Sequence, residues 1–555
     1  MSLDPTSSST FMAMDSRRLV VFVMSVMVGL GSGSNYVYSA YAPQLASQLV
    51  LSSTQVNLVG VAGNLGMYLT SPLWGKVVDS RGPQIPLLIG SLLTFSGYVL
   101  VRAFYTLIIP IRSAPNAPAS SLRLTLLALC MFMTGAGGSA GLSASVNAAA
   151  KSFPDKTRAS ATGTVLAGFG LSAFIFSTIG HELFKGDAEG LLILLAIGTG
   201  SPMLLGSFFV RPVPPVREAE GYQPVTEAPD IIFDDEEAYR RDSSDSRSTS
   251  VDVDRSYSPH PQGRGHLALS STSKTARNTS ISLLSTSFTP IQLITSTDFY
   301  ILFVILALLC GTGLMYINNV GTVALALARN GSLTYDRRAV SAWQAKQVAT
   351  ISVWNAAGRI LGGIFSDFCK AKFHISRVWF LPVVALMFVG SQIAGIFTIH
   401  VDRLWIVSTM LGSSYGSLFN VLPMLVLEWF GMTHFSQNYG WMCVAPVIGG
   451  NVFNIIFGRI YDSNSVGGRL SDPTNHSNRG GFMRTLLRRA GEILSESSHD
   501  CLVGTNCYAL AFKISTFGCL IAFVLSIGAG VKRNRMSLDQ KRLVRLERAQ
   551  QIEET

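Results

Sequence analysis

Few residues in this chain have the type and spacing to do chemistry, and the first of them is Arg359. It lies within an apolar run, residues 345–365, where hydrocarbon cannot satisfy a guanidinium. A central arginine costs about 2.5–3.5 kcal/mol on membrane-insertion scales. It belongs where water or an anion reaches it, and its planar fork suits two-point contact with a carboxylate. The competing reading is an arginine that snorkels to the headgroups or ties helices together through Asp367 or Glu428. Asn355 stands one turn earlier on the same helical face. Its amide has no useful pKa, so it cannot shuttle a proton. Polar groups interrupt other apolar runs at Asn35 and Tyr36 and at Asn318 and Asn319. All are candidates to line a route for a small solute; the alternative is hydrogen bonding between helices.

Enzymatic chemistry has little to stand on. There is no H-E-x-x-H and no phosphate-cradling G-x-x-x-x-G-K-[ST]. The eight histidines include no pair at ligand spacing within an apolar run, and the seven cysteines form no C-x-x-C. No catalytic residue, metal or cofactor is expected.

A second group reads as a gate. Gly75-Lys-Val-Val-Asp-Ser-Arg-Gly82 is read as a short polar loop between the apolar runs 56–74 and 85–105. Its glycines allow tight turning and close helix contact. The Asp79 carboxylate suits a helix cap or a pair with an arginine. Gly75, Asp79, Arg81 and Gly82 are therefore gating candidates. The pattern G-x-x-x-D returns at Gly363 to Asp367, which adds Asp367. Recurrence at a distance is the mark of an internal repeat.

The elements that position these residues follow from composition. The 555-residue chain is 48% hydrophobic and 14% charged, against about 25% charged in a soluble domain. Its net charge of +10 sits in short loops and the tail, which fits lipid headgroups and topology rather than nucleic acid. About 20 apolar residues span a bilayer as a helix. Twelve runs qualify: 19–42, 56–74, 85–105, 122–149, 160–179, 191–210, 299–327, 345–365, 378–399, 404–430, 440–460 and 508–531. The expected architecture is an all-α membrane protein with twelve transmembrane helices in two six-helix bundles, 19–210 and 291–531. A cytoplasmic tail, 1–18, precedes them, and a basic cytoplasmic tail, 532–555, follows. Residues 211–290 carry Pro212, Pro214, Pro215, the acidic run Asp234 to Glu237 and a Ser/Arg/Asp-rich stretch. That composition cannot bury a core and predicts a disordered cytoplasmic linker. Asp79 and Asp367 are about 290 residues apart, and removing a linker of roughly 80 leaves about 210, or six spans of about 35 each.

Topology follows from basic loops. Lys76, Arg81, Lys151, Lys156, Arg158, Lys370, Lys372 and Arg377 fall on one side if both termini are cytoplasmic. The glycosylation sequons at Asn330 and Asn475 then land on the opposite side, while the one at Asn278 stays in the linker. A long lumenal loop, 461–507, contains Cys501 and Cys507. Oxidation is allowed there, so a disulfide closing this loop is preferred over two free thiols.

The G-x-x-x-D-x-x-G pattern between the second and third runs, with its return one half-chain later, resembles the loop signature of the major facilitator superfamily. Gly33-Ser-Asn-Tyr36, Ile317-Asn-Asn319, Glu428-Trp-Phe-Gly431, Asn438-Tyr-Gly440 and Tyr461-Asp462 are similar to its nodulin-like branch. Asn64-Leu-Gly-Met-Tyr68 is similar to the fungal probable monocarboxylate-transporter homologues assigned to the vacuolar membrane. The resemblance implies the major facilitator fold and a monomeric secondary transporter in a lipid bilayer. It implies a small-molecule solute, such as an organic anion, moved by alternating access with or without a coupling ion. The vacuolar membrane is the first expectation and the plasma membrane the second. The rival reading is a non-transporting solute sensor with a signalling linker. Proton-coupled monocarboxylate transporters carry an Asp one turn before the matching Arg and a Lys in the first span. Here the first position is Asn355 and the first span has no Lys, so lactate–proton symport is not implied.

Overall fold

A computed structural model describes residues 16–51, 53–111, 120–184, 187–213, 287–329, 337–464, 501 and 503–553. Asn278, Asn330 and Asn475 lie outside the described residues, as do 214–286 of the expected linker and 465–500 of the long loop. Every described element is helical. The first set is α1 (Ser16–Ser32), α2 (Tyr38–Leu49), α3 (Ser53–Leu69), α4 (Ser71–Arg81), α5 (Gln84–Tyr105), α6 (Ser121–Ser152), α7 (Arg158–Phe184) and α8 (Ala188–Phe209). After a short α9 (Pro290–Thr295) come α10 (Thr297–Ala328), α11 (Arg337–Phe373), α12 (Phe380–Phe397) and α13 (Leu404–Phe430). The chain closes with α14 (Phe435–Met442), α15 (Ala445–Asn464) and α16 (Ala509–Glu553).

Among the described residues, eleven helical stretches are long and apolar enough to cross a bilayer. The 22 residues of α5 reach about 33 Å at 1.5 Å per residue, against a hydrocarbon core of about 30 Å. Apolar side chains divide between two surroundings. Leu411, Leu418, Leu422 and Leu425 of α13 are buried, whereas Leu92, Phe208, Phe397 and Val524 remain open on the outside, where lipid replaces water.

The expected run 56–74 is α3 followed by α4, two shorter helices meeting at Thr70. Pro72 stands at the start of α4; lacking an N–H, it ends the upstream hydrogen-bond ladder, and the Trp74 N–H restarts it on the Thr70 carbonyl at 3.0 Å. The run 440–460 behaves alike. It begins earlier, at Phe435, and breaks between α14 and α15, with Pro446 as the second residue of α15. The expected polar loop 75–82 is corrected too. Residues 75–81 are the helical end of α4, and the turn comes only at Gly82, with φ +81°. A mid-helix glycine costs about 1 kcal/mol relative to alanine; here it is offset by packing described below.

Residues 287–289 rejoin the helices as a short strap. The Phe288 N–H donates to the Phe430 carbonyl at 2.9 Å, and the Asn438 amide of α14 donates to the Phe288 carbonyl at 3.1 Å. Thr433 Oγ1 lies 2.9 Å from Ser287 Oγ. Gly431 adopts φ +86°, and a Cβ there would stand 2.8 Å from the Ser287 Cα. Thr289 and Gln292 then form a reciprocal cap that starts α9. Cys501 and Cys507 are joined by a disulfide, with their Cα atoms 6.0 Å apart, just before α16.

Candidate functional site

Arg359 stands in the interior of α11 and is 2% exposed. Its Nε donates to Asn355 Oδ1 at 3.2 Å, one turn back on the same helix. Its Nη1 donates to the Leu166 carbonyl of α7. The guanidinium lies between the rings of Phe169 and Phe419, 5.4 Å from each centroid. One ring comes from α7 and the other from α13, so π-faces from two helices hold the cation. Among the described residues, Nη2 has no hydrogen-bond partner. Asp367 and Glu428, the expected alternatives, do not pair with Arg359.

This arginine forms part of the wall of a small, partly open cavity of about 20 Å³. Tyr36, Tyr68, Tyr415 and Tyr439 bring hydroxyls to it, and Ser71, Ser139 and Ser143 bring more. Tyr36 and Tyr68 share a hydrogen bond of 2.8 Å. Both helix breaks open here. Ser71 follows the α3–α4 break, Cys443 stands at the α14–α15 break, and both line the cavity. Discontinuous helices at a midplane site are a recurring way to free backbone groups for a solute.

Of the residues expected to line a route, Arg359 and Tyr36 are in this wall. Asn355 stands behind Arg359 and orients it. Asn35 donates to the Gly63 carbonyl at 2.8 Å and accepts from Thr134 at 3.1 Å, tying its turn to α3 and α6. Asn319 donates to Asn454 Oδ1 of α15 at 2.9 Å, and Asn318 is exposed. Apart from Tyr36, the aromatic wall carried no sequence signal, because a tyrosine in an apolar run reads the same whether it faces lipid, a neighbour or a cavity.

The gating candidates form two matched contacts. Asp79, in the last turns of α4, accepts the N–H groups of Ser436 at 3.2 Å and Gln437 at 2.9 Å. These lie in the first turn of α14, so the carboxylate caps that helix and meets its positive end. Asn147 of α6 donates to Asp79 Oδ1 at 3.1 Å and also to Ser436 Oγ. Gly75 makes the approach feasible, since a Cβ there would stand 2.3 Å from the Ser436 carbonyl oxygen. Burial pushes the Asp79 carboxyl up from its ordinary value, against the N–H of Gln437 and the charge of Lys151. Arg81 is exposed at the end of α4, beside Gly82.

Asp367 repeats the arrangement on α7. It accepts the Ala159 N–H at 3.3 Å, the Ser160 N–H at 2.7 Å and the Ser160 hydroxyl at 2.7 Å. A Cβ on Gly363 would stand 2.5 Å from the Ala159 carbonyl oxygen. Asn420 of α13 donates to that same carbonyl at 2.9 Å. Here, however, a cation joins. Arg377, 1% exposed, reaches Asp367 at 2.7 Å, Asp155 at 3.1 Å and Glu428 at 2.5 Å. Lys370 bridges Asp155 and Glu428 at 2.7 and 2.6 Å. Burial alone would raise the Asp155 carboxyl; Lys370 and Arg377 overcome it and hold the group below its ordinary value.

Membrane-length helices around a partly open cavity, with a repeated carboxylate-to-helix contact, define a multi-pass membrane protein of the transporter class. The chain belongs to the Major Facilitator Superfamily, whose family model it matches over residues 21–428. It is 28% identical to the probable transporter MCH1 of Gibberella zeae, over 92% of this chain and 89% of that one. With the probable transporter MCH1 of Saccharomyces cerevisiae it shares 26% identity, over 83% and 89% of the two chains. Solved structures show the same fold at low identity. The proton:xylose symporter XylE superposes with a TM-score of 0.53 at 11% identity, covering 91% of this chain and 94% of that one. A bacterial homologue of the lysosomal transporter Spinster, inward-facing and unoccupied, gives 0.51 at 16%, covering 93% and 97%.

Proposed function

We propose that this protein is a secondary transporter of a small organic anion, such as a monocarboxylate, held between two six-helix bundles and released by alternating access. Arg359 is the anion's anchor. The observation that carries this reading is the unpartnered Nη2 of a buried guanidinium at the wall of a cavity lined mainly by hydroxyls and aromatic rings, with Met67, Leu142, Leu166 and Cys443. Asn355 and the Leu166 carbonyl hold the other two nitrogens, which fixes the plane of the fork before solute arrives and lowers the ordering cost of binding.

The two carboxylate contacts act as latches on the cytoplasmic face. Gly75, Asp79 and Gly82 build the first, with Arg81 beside it, and Asp367 builds the second. Each latch is tied to the cavity by one helix. Along α11, Asp367 follows Arg359 by eight residues, about 12 Å; along α14, Gln437 and Tyr439 are neighbours. Opening the latches therefore moves cavity walls. The basic loops agree with both termini and the linker in the cytoplasm, with glycans on Asn475 and Asn330; the membrane proposed is the vacuolar one.

The test measures anion affinity and thermal stability on the same purified variants. Arg359→Gln should abolish binding while the protein still inserts, and Arg359→Lys should weaken binding despite keeping the charge. Normal affinity with lost stability would sink the assignment and leave Arg359 as a helix tie.

A further inference from the structure

The charge inventory of the cavity has a consequence for energy coupling. Arg359 supplies its one permanent charge, since a guanidinium keeps its proton in proteins. The other ionisable side chains in the wall are Tyr36, Tyr68, Tyr415, Tyr439 and Cys443, neutral groups with ordinary values of about 10 and 8.5. Among the described residues, no carboxylate, lysine or histidine lines it. The group touching Nε is the Asn355 amide, which neither gains nor loses a proton. Asp79, Asp367 and Glu428, on helices that contribute to the wall, are committed at the latch end to helix N–H groups, Arg377 or Lys370.

From this we infer that the solute anion crosses without a proton, so that each turnover carries one net negative charge. With anion bound, the cavity is neutral. Empty, it returns with the arginine's single positive charge uncompensated. The loaded and empty crossings thus differ by one charge, and the membrane potential acts on their sum. Such a carrier collects anion on the positive side of a membrane and ignores a pH gradient. The inference rests on the anion reading of Arg359 given above.

The experiment uses the full chain in proteoliposomes, with potential set by a potassium gradient and valinomycin. Benzenesulfonate is the first probe, because it stays ionised and cannot leak as a neutral acid; its ring suits the aromatic wall. Benzoate and lactate are the second and third. An inside-positive potential should drive accumulation about tenfold for roughly 60 mV, at about 2.3 kcal/mol per charge per 100 mV. A pH gradient at zero potential should drive none. Asn355→Asp supplies the second arm. A carboxylate beside Nε cancels the charge of the empty cavity, so anion entry then needs a proton. Uptake by this variant should become sensitive to the pH gradient and lose its response to potential. Wild-type accumulation that follows the pH gradient, or flux indifferent to potential, would overturn the inference while leaving the anion site intact. So would an Asn355→Asp variant that transports and still follows potential alone. Absence of Arg359-dependent flux for all three probes would instead overturn the anion reading itself, and the inference with it.

Discussion

The two latches share a plan and differ in what holds them. In each, a G-x-x-x-D helix end lies against the first turn of a helix from the other half of the chain. In each, glycine admits the backbone, aspartate caps the exposed N–H groups, and an asparagine braces the contact from a third helix. Asp79 is held by N–H dipoles and an amide. Asp367 is held by the same kind of dipoles together with Arg377, itself shared among Asp155, Asp367 and Glu428. A dipolar cap is worth about 1 kcal/mol, whereas removing one partner of a buried ionic cluster costs about 3–5 kcal/mol. The repeat in sequence therefore does not make a repeat in strength. On the gating role proposed above, the first contact releases before the second.

Breaking that asymmetry at its strongest point gives the largest expected effect. Arg377→Ala leaves the buried Asp367 without its cation while Glu428 keeps Lys370, and should lower stability by about 3–5 kcal/mol. Thermal unfolding of purified protein would show it; a variant as stable as wild type would mean that the cluster does not hold the second latch. Asp79→Asn comes next. It keeps the shape and one acceptor oxygen but loses charge, with about 1–3 kcal/mol at stake. The protein should insert normally, spend more time open at the latch face, and expose an engineered cavity cysteine to a cytoplasmic thiol reagent. Unchanged labelling and flux would argue against the latch.

Gly75→Ala should act on the same latch from the backbone side, by forcing α4 away from Ser436, and Gly363→Ala should do so for α7. Each is expected to raise labelling, the first more than the second, because the ionic cluster resists separation. The reverse order would invert the comparison. The smallest effect is a pH dependence. Asp155 has a lowered carboxyl value in the folded protein, so its contribution is present above the unfolded value of about 3.9 and is lost as pH falls through the folded one. The melting temperatures of wild type and Asp155→Asn should differ by a constant amount above about pH 5 and converge in acid. A gap that persists in acid would remove Asp155 from the cluster's charge balance.

Much of the fold was legible because lipid is an undemanding reader: long apolar runs are helices, whatever they touch. The breaks at Thr70 and Cys443 were less so, although Pro72 and Pro446 mark both. The G-x-x-x-D pairs could be read directly, but not their partners, since Ser436 lies 357 residues from Asp79 and Ser160 lies 207 from Asp367. Arg377 counts in sequence only as one more base after an apolar run, and nothing local distinguishes a buried cluster centre from a surface charge. Arg359 stood out because a guanidinium in an apolar run needs a reason. The rings around it did not.

The strap at residues 287–289 gives the molecule a natural place for an instrument. Its hydrogen bonds run to the end of α13, to Thr433 in the turn before α14 and to Asn438 within α14. Whatever is spliced in just ahead of Ser287 is therefore leashed to the helix that Asp79 caps. A small fluorophore placed there would ride on that helix and report, by its distance to a second dye on α5, each opening and closing of the first latch. The same leash sets a rule for cutting the chain in two. A break placed before Ser287 leaves the strap with the helices it grips, whereas a break after Thr289 takes away the bonds that hold the entrance to α14, and two co-expressed pieces should reassemble only in the first case.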